Sequence, residues 1–310
     1  MTAIPTLRKM LDMAIAEAIM RRARPAATVT EVLPRSGGQL HKVYEVRCAE
    51  PADSVIAKVY AEGLQPRQDK EVHVLRLLAE HGIAAPSVLH TERGITVLTL
   101  LPGEPLSSVS ASLDEAQARR VYRQIGELTA AMHEIRTDAY GYLTTHIAEP
   151  YATNSEYMLS RFTDKLEEFL DFGGDPATHD AVRAHVAEHA ERFGRCQAPV
   201  LCHNDLHDGN VLVSKGIDGW RVTGLIDVEN VISADPLLDL AKAHYYAGEN
   251  RDTTLGWLLE GYGPLPEDWQ DRLATYALFH ALELWNWFTD IEHTDPLPGI
   301  AEDIRHLART

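Results

Sequence analysis

Between Leu201 and Asn210 the chain reads "LCHNDLHDGN", which packs His203, Asp205, His207, Asp208 and Asn210 into eight residues. The runs "APVLC" before it and "VLV" after it are apolar. Buried segments avoid such groups unless they are partnered. The cluster therefore binds a metal, does chemistry or braces a sharp turn. Asp205 and Asn210 stand as D-x-x-x-x-N, with His203 two residues before the Asp. Seventeen residues past Asn210, Asp227 ends the apolar stretch of "GLIDVEN". Kinases use parts in this order for phosphoryl transfer. One Asp orients the acceptor hydroxyl and can take its proton, while an Asn and a second Asp hold Mg²⁺ against nucleotide phosphates.

A His/Asp metal-hydrolase site is the rival reading of "HNDLHD". Asn210 counts against it, being a poor ligand for zinc or a redox metal and a fair one for Mg²⁺. No second His/Asp cluster of comparable density occurs in the sequence. A metal hydrolase would also leave the first hundred residues unexplained.

The elements around these residues follow from hydrophobic periodicity. "MTAIPTLRKMLDMAIAEAIMRRARP" mixes charges into its apolar residues and reads as an amphipathic helix, not a signal peptide. Alternation in "TVTEVL", "KVYEVR" and "SVIAKVY" predicts three antiparallel strands. "RQDKEVHVLRLLAEHG" predicts a helix ending at Gly82, and "PSVLHTERGITVLTLLPGEPL" two more strands around Arg93-Gly94. From Leu113 the pattern is helical. Helices are expected over 153–171, 177–194, 236–247, 251–261, 267–289 and 300–309, and strands over 198–203, 211–214 and 221–226. The fold class is α+β, in two lobes. An N-terminal five-stranded antiparallel sheet with one inserted helix spans 1–101, and a mostly helical lobe spans 102–310.

The first lobe holds further parts. Lys58 in "VIAKVY" is a strand lysine among Val and Ile, costly to bury without an anionic partner. Glu71 opens the apolar face of the following helix. Together they match the strand lysine and helix glutamate that hold the α/β-phosphates. In "RSGGQLHKVY", Gly37 and Gly38 allow close backbone approach to phosphates. The loop departs from G-x-G-x-x-G, so a eukaryotic-type protein kinase is not supported. "VLTLLPGEPL" sits where a hinge strand offers backbone groups to adenine.

Net charge is −17, which argues against nucleic acid as a partner. Residues 1–101 carry 13 Lys/Arg against 11 Asp/Glu, and residues 102–310 carry 16 against 35. The acidic excess of the second lobe suits solubility and also a cationic small molecule. No apolar run of about 18 residues is present, so no membrane span is expected. Three widely spaced cysteines, Cys48, Cys196 and Cys202, fit a cytoplasmic setting without disulfides. A monomer or homodimer is expected.

The stretches "SGGQLHKVYEV", "VIAKVY", "KEVHVLRLLAEHGIAAPSVL", "LTLLPGEPL", "LCHNDLHDGNVLV" and "GLIDVENVISADPLLDLAKA" resemble the aminoglycoside phosphotransferase family, the antibiotic-kinase branch of the kinase-like fold. The resemblance implies an ATP- and Mg²⁺-dependent O-phosphotransferase acting on a small-molecule hydroxyl. It implies that Asp205 is the catalytic base and that Asn210 and Asp227 are Mg²⁺ ligands. Lys58 would contact phosphate with Glu71 as its partner, under the loop of Ser36, Gly37 and Gly38. Thr99 to Leu101 would be the hinge backbone, with Leu98 behind it. His203 would brace the catalytic loop, and Asp235 and Asp239 would support the site or its substrate edge. Asn204 stands where many relatives have Gly, and Asp208 where Pro is common. In "HALELWNWFTDIEHTDP", Glu283, Asp290, Glu292 and Asp295 are candidate clamps for substrate ammonium groups, with a solvated acidic rim as the alternative. The acceptor is expected to be an antibiotic, an aminoglycoside or related cationic natural product. A metabolic choline, ethanolamine or sugar kinase is the alternative, and a pseudokinase binding module the non-enzymatic one.

Overall fold

The computed structural model describes residues 11–35, 41–49 and 52–309. They form two compact units. The first takes the chain up to Ser108 together with Thr144–His146 and Val211–Glu229. The second holds Val109–Leu143, Ile147–Asn210 and the chain from Asn230 onward.

In the first unit, α1 (Met13–Ala23) precedes β1 (Val29–Arg35), β2 (His41–Ala49) and β3 (Ala52–Tyr60). There follow α2 (Gln65–Glu80), β4 (Val88–Glu92), β5 (Ile95–Thr99), the two-residue β6 (Glu104–Pro105) and the one-turn α3 (Leu106–Val109). The strands pair antiparallel in the order β1-β2-β3-β5-β4. Successive strand side chains point to opposite faces. Val55, Ala57 and Val59 of β3 therefore pack with Val46, Val97 and the α1 residues Ala16, Ile19 and Met20. The same alternation turns Lys58 and Tyr60 to the other face, where Glu71 of α2 meets both.

The second unit begins with α4 (Glu115–His133), the short strands β7 (Tyr140–Leu143) and β8 (Ile147–Tyr151), α5 (Asn154–Asp171), α6 (Pro176–Phe193) and β9 (Val200–Cys202). The hairpin β10 (Val211–Gly216) and β11 (Gly219–Leu225) belongs to the first unit, where β10 also pairs β6. The second unit resumes with β12 (Ile232–Ala234), α7 (Leu237–Tyr246), α8 (Arg251–Tyr262), α9 (Trp269–Asp290) and α10 (Leu297–Leu307). Reciprocal caps start two of its helices, Asp114 with Gln117 for α4 and Thr153 with Glu156 for α5. Helices α4 and α8 approach through Gly126 and Gly261. A Cβ on the first would lie 1.9 Å from the Leu258 carbonyl oxygen, and on the second 1.9 Å from that of Arg123. That contact brings His133 and Tyr262 together.

The α+β architecture, the five-stranded antiparallel sheet, the inserted helix and the helical remainder are as the sequence predicts. The sequence reading omits β6, β7, β8 and β12, of two to five residues each. Three of them join β9 in a sheet of order β8-β7-β12-β9. Strands this short show no measurable period, and Gly141 and Pro150 interrupt two of them. No described helix is long and apolar enough to cross a membrane.

Candidate active site

In the first unit, Lys58 is buried and its Nζ lies 2.5 Å from Glu71 Oε1. The Tyr60 hydroxyl donates to Glu71 Oε2. Lys58 Nζ also stands 3.8 Å from Asp227 Oδ1. Burial alone would lower the Lys58 pKa, but Glu71 and Asp227 outweigh it and hold it above the ordinary lysine value. Asp227, two residues past β11, has φ +61°, a left-handed conformation that costs a residue with a Cβ about 1–3 kcal/mol. Its Oδ1 is buried and accepts no hydrogen bond from the described residues. Glu229 faces His41 Nδ1 and Arg67, each at 3.8 Å. Burial, and then the Asp227 charge, push its carboxyl upward. The sequence reading did not single out Glu229 or His41; the signal for Glu229 was a second carboxylate two residues past Asp227.

At the expected hinge, Leu98 is buried, and the Thr99 N–H is already given to the Ser87 carbonyl at 2.9 Å. Thr99 thus has no N–H to offer a base. Leu101 is half-buried, and the Thr223 hydroxyl donates to the Pro102 carbonyl after it. Ser36, Gly37 and Gly38 lie outside the described residues.

In the second unit, the buried β9 delivers the chain into the 203–210 loop. Asp239 of α7 holds the start of that loop. Its Oδ2 accepts from the His203 N–H and its Oδ1 from the Asn204 N–H, both at 2.6 Å. His133 donates from Nε2 to Oδ2 at 3.0 Å, and its Nδ1 lies 2.9 Å from the Tyr262 hydroxyl. Burial would raise the Asp239 pKa, but His133 and, to a lesser degree, the Asn204 N–H hold it below the usual carboxylate value. Asn204 has φ +60°, which explains the residue type: Gly and Asn are the residues that adopt it most readily. Next along the loop, Asp205 is pinned by one amide. Asn210 Nδ2 donates to the Asp205 carbonyl at 2.9 Å and to Oδ2 at 3.0 Å. Oδ1 faces His207 Nε2 at 3.8 Å and Lys242 Nζ at 3.9 Å.

The remaining candidates separate by burial. His203 is buried beside Asp205. Asp208 accepts from the Tyr122 hydroxyl, and His207 stacks on Tyr246 with ring centroids 5.2 Å apart. Asp235 is bound by Arg272, by the Tyr276 hydroxyl at 2.6 Å and by the Leu237 N–H at 3.0 Å. At 0% exposure, Asp235 and Asp239 hold the loop and α7 in place and cannot touch an acceptor, so of the two expectations, support of the site or of its substrate edge, the structure corrects the second. Glu283 is half-buried, 3.5 Å from Lys242 Nζ and 3.4 Å from His280 Nδ1. Although burial pulls the other way, Lys242 holds its carboxyl far below the usual range. Asp290 is exposed at the end of α9. Lys242 was missed by the sequence reading, although it is a lone cation in the apolar run "LLDLAKA".

A family model described as "Phosphotransferase enzyme family" matches residues 31–274. Among solved structures, a thermostable mutant of aminoglycoside phosphotransferase APH(4)-Ia in ternary complex with ADP and hygromycin B is similar at 16% identity. That match covers 96% of this chain and 98% of the other, with a TM-score of 0.73. The streptomycin–ATP ternary complex of APH(2")-IIa is similar at 15% identity, over 96% and 99% of the two chains, with a TM-score of 0.65. ADP-bound APH(2'')-Ib is similar at 14% identity, over 96% and 97%, with a TM-score of 0.67. At these identities the likeness is one of fold.

Proposed function

The chain belongs to the phosphotransferase enzyme family, and we propose that it transfers the γ-phosphoryl group of ATP to a hydroxyl of a small molecule, an aminoglycoside or related cationic antibiotic. The observation that carries the reading is Asp227: a left-handed backbone turn aims a carboxylate whose buried Oδ1 has no hydrogen-bond donor among the described residues and only the Lys58 ammonium nearby, at 3.8 Å. A buried carboxylate oxygen without a donor at hydrogen-bonding distance is costly unless a cation comes closer than Lys58 does. Oxygen donors of this kind suit Mg²⁺. Asn210 also fits, because its amide nitrogen is spent on Asp205 and its oxygen is the atom it can offer. Bound Mg²⁺ supplies neutralisation of the charge on the β- and γ-phosphates.

The chain's own groups do the rest. Lys58, held charged by Glu71, pairs with the α/β-phosphates. Asp205, with its carbonyl and Oδ2 fixed by Asn210, presents Oδ1 to the acceptor hydroxyl, orients it and takes its proton. His203 and Asn204, tied by their N–H groups to Asp239, keep that loop in register. A metabolic sugar kinase is the second reading. It is favoured by Glu283, whose charge is already matched by Lys242 rather than left for an acceptor ammonium.

The test is a Mg²⁺-dependent ATP-turnover screen over hygromycin B, streptomycin, gentamicin, choline and simple sugars, with mass spectrometry of the products. Gain of one phosphoryl group by an antibiotic supports the reading. Phosphorylation of choline or a sugar alone moves the assignment to a metabolic kinase. No phosphorylated product from any of them removes it.

A further inference from the structure

Lys242 sits in α7 among buried Leu238, Leu240 and Ala241, and is itself buried. Its ammonium is 3.9 Å from Asp205 Oδ1, 3.5 Å from Glu283 Oε2 and 5.3 Å from the centre of the Tyr246 ring. A buried lysine without function is a costly choice where the neighbouring residues are Leu and Ala. Burial would lower its pKa, yet Glu283, Tyr246 and Asp205 together raise it above the ordinary lysine range. Lys242 is therefore a permanent cation and not a proton acceptor.

The distances are the informative part. A formed N–H···O bond spans about 2.7–3.2 Å. The ammonium has three N–H donors, and both of its carboxylate neighbours stand farther away than that. Two atoms 3.9 Å apart can each reach one oxygen placed at hydrogen-bonding distance from both. The only reacting oxygen that must come to Asp205 Oδ1 is the acceptor's.

We propose that Lys242 is an acceptor-binding residue, its ammonium donating to the same hydroxyl oxygen whose proton Asp205 receives. This rests on the reading of Asp205 given above. In the step, the hydroxyl proton passes to Asp205 Oδ1 and the oxygen bonds to the γ-phosphorus. The bond from that phosphorus to the β–γ bridging oxygen breaks, and its electron pair leaves on ADP. Lys242 keeps its three protons throughout and fixes the direction of the oxygen. A cation at this point also selects the acceptor. The phosphorylated hydroxyl is one flanked by oxygen-bearing carbons, with any ammonium groups farther away, because like charges repel at this range.

The test compares wild type with Lys242→Met, Lys242→Gln and the double variant Lys242→Met/Glu283→Gln. The double variant removes both charges, so a folding defect from a stranded Glu283 does not decide the result. Transfer is measured to hygromycin B, streptomycin and gentamicin. ATP hydrolysis is measured in parallel, where water takes the acceptor's place at Asp205. The expected result is a loss in kcat of about 10²-fold in the double variant, with the AMP-PNP dissociation constant unchanged within about twofold. Lys242→Gln, which keeps a neutral donor, should recover about tenfold of that loss. Fragmentation should place the phosphate on a hydroxyl without a neighbouring amine. Wild-type kcat in the double variant, equal losses in the Gln and Met variants, or phosphate beside an amine-bearing carbon would overturn the proposal. If wild type hydrolyses ATP but phosphorylates none of the three antibiotics, the antibiotic acceptor falls, and the hydrolysis rates alone judge Lys242. If wild type neither transfers nor hydrolyses, the phosphotransfer reading falls and takes this one with it.

Discussion

Replacing Asp239 by Asn tests whether the loop that carries Asp205 is held by one buried carboxylate. Asp239 is 0% exposed and accepts three hydrogen bonds: from the N–H groups of His203 and Asn204, each at 2.6 Å, and from His133 Nε2 at 3.0 Å. An amide keeps the shape but turns one acceptor oxygen into a donor. Either orientation sets that NH₂ against a backbone N–H. A hydrogen bond to a charged group contributes about 1.5–3 kcal/mol, and the stranded N–H costs about 1–3 kcal/mol more. His133 can change tautomer and partly recover, so the loss at pH 7 should be about 3–5 kcal/mol. That is a large share of the about 5–15 kcal/mol by which a typical domain is stable.

The pH dependence of this loss has a definite sign. Asp239 has a pKa below its unfolded value of about 3.9. Its stabilisation is therefore present above about pH 4 and is lost as pH falls through the folded pKa. The gap between wild type and variant should be constant near neutrality and close below about pH 4. Urea titrations at several pH values measure it. Turnover should fall at least tenfold, because Asp205 follows directly on the released residues, while AMP-PNP binding should hold. A loss under about 0.5 kcal/mol, the level of a surface change, or a gap that widens in acid, would refute the bracing argument.

Three further outcomes are expected. Asp205→Asn should lower kcat by about 10²–10⁴-fold, because an amide cannot accept the proton; single-turnover measurements should show unchanged nucleotide affinity. Glu71→Gln leaves the buried Lys58 ammonium with Asp227 alone, 3.8 Å away, and should cost up to about 3 kcal/mol of stability, with ATP binding weakened in calorimetry. Lys70, buried in α2, has its ammonium pushed down to about 7 by burial, against about 10.4 unfolded. The unfolded chain therefore binds the extra proton between those values, so wild-type stability should rise with pH from about 7 to 10. Lys70→Met should lack that slope in denaturation curves.

Long elements and spaced motifs were legible in the sequence because each rests on a period or a fixed interval. Alternation through "SVIAKVY" made Lys58 a strand lysine in need of an anionic partner, and the structure sets it against Glu71. The D-x-x-x-x-N interval put Asn210 where its side chain reaches back to Asp205. What escaped notice was tertiary. Asp239 and Asp235 read as supporting either the site or its substrate edge, because nothing local announces that His203, Asn204 and His133 will surround one, and Arg272 and Tyr276 the other. Glu283 read as a clamp for a cation, and it is one, but for Lys242 of this chain. The local rule that a lone charge in an apolar helix needs a partner applied to Lys242 as much as to Lys58. Used on "LLDLAKA", it asks for an anion near Lys242, which the structure supplies as Glu283 of α9.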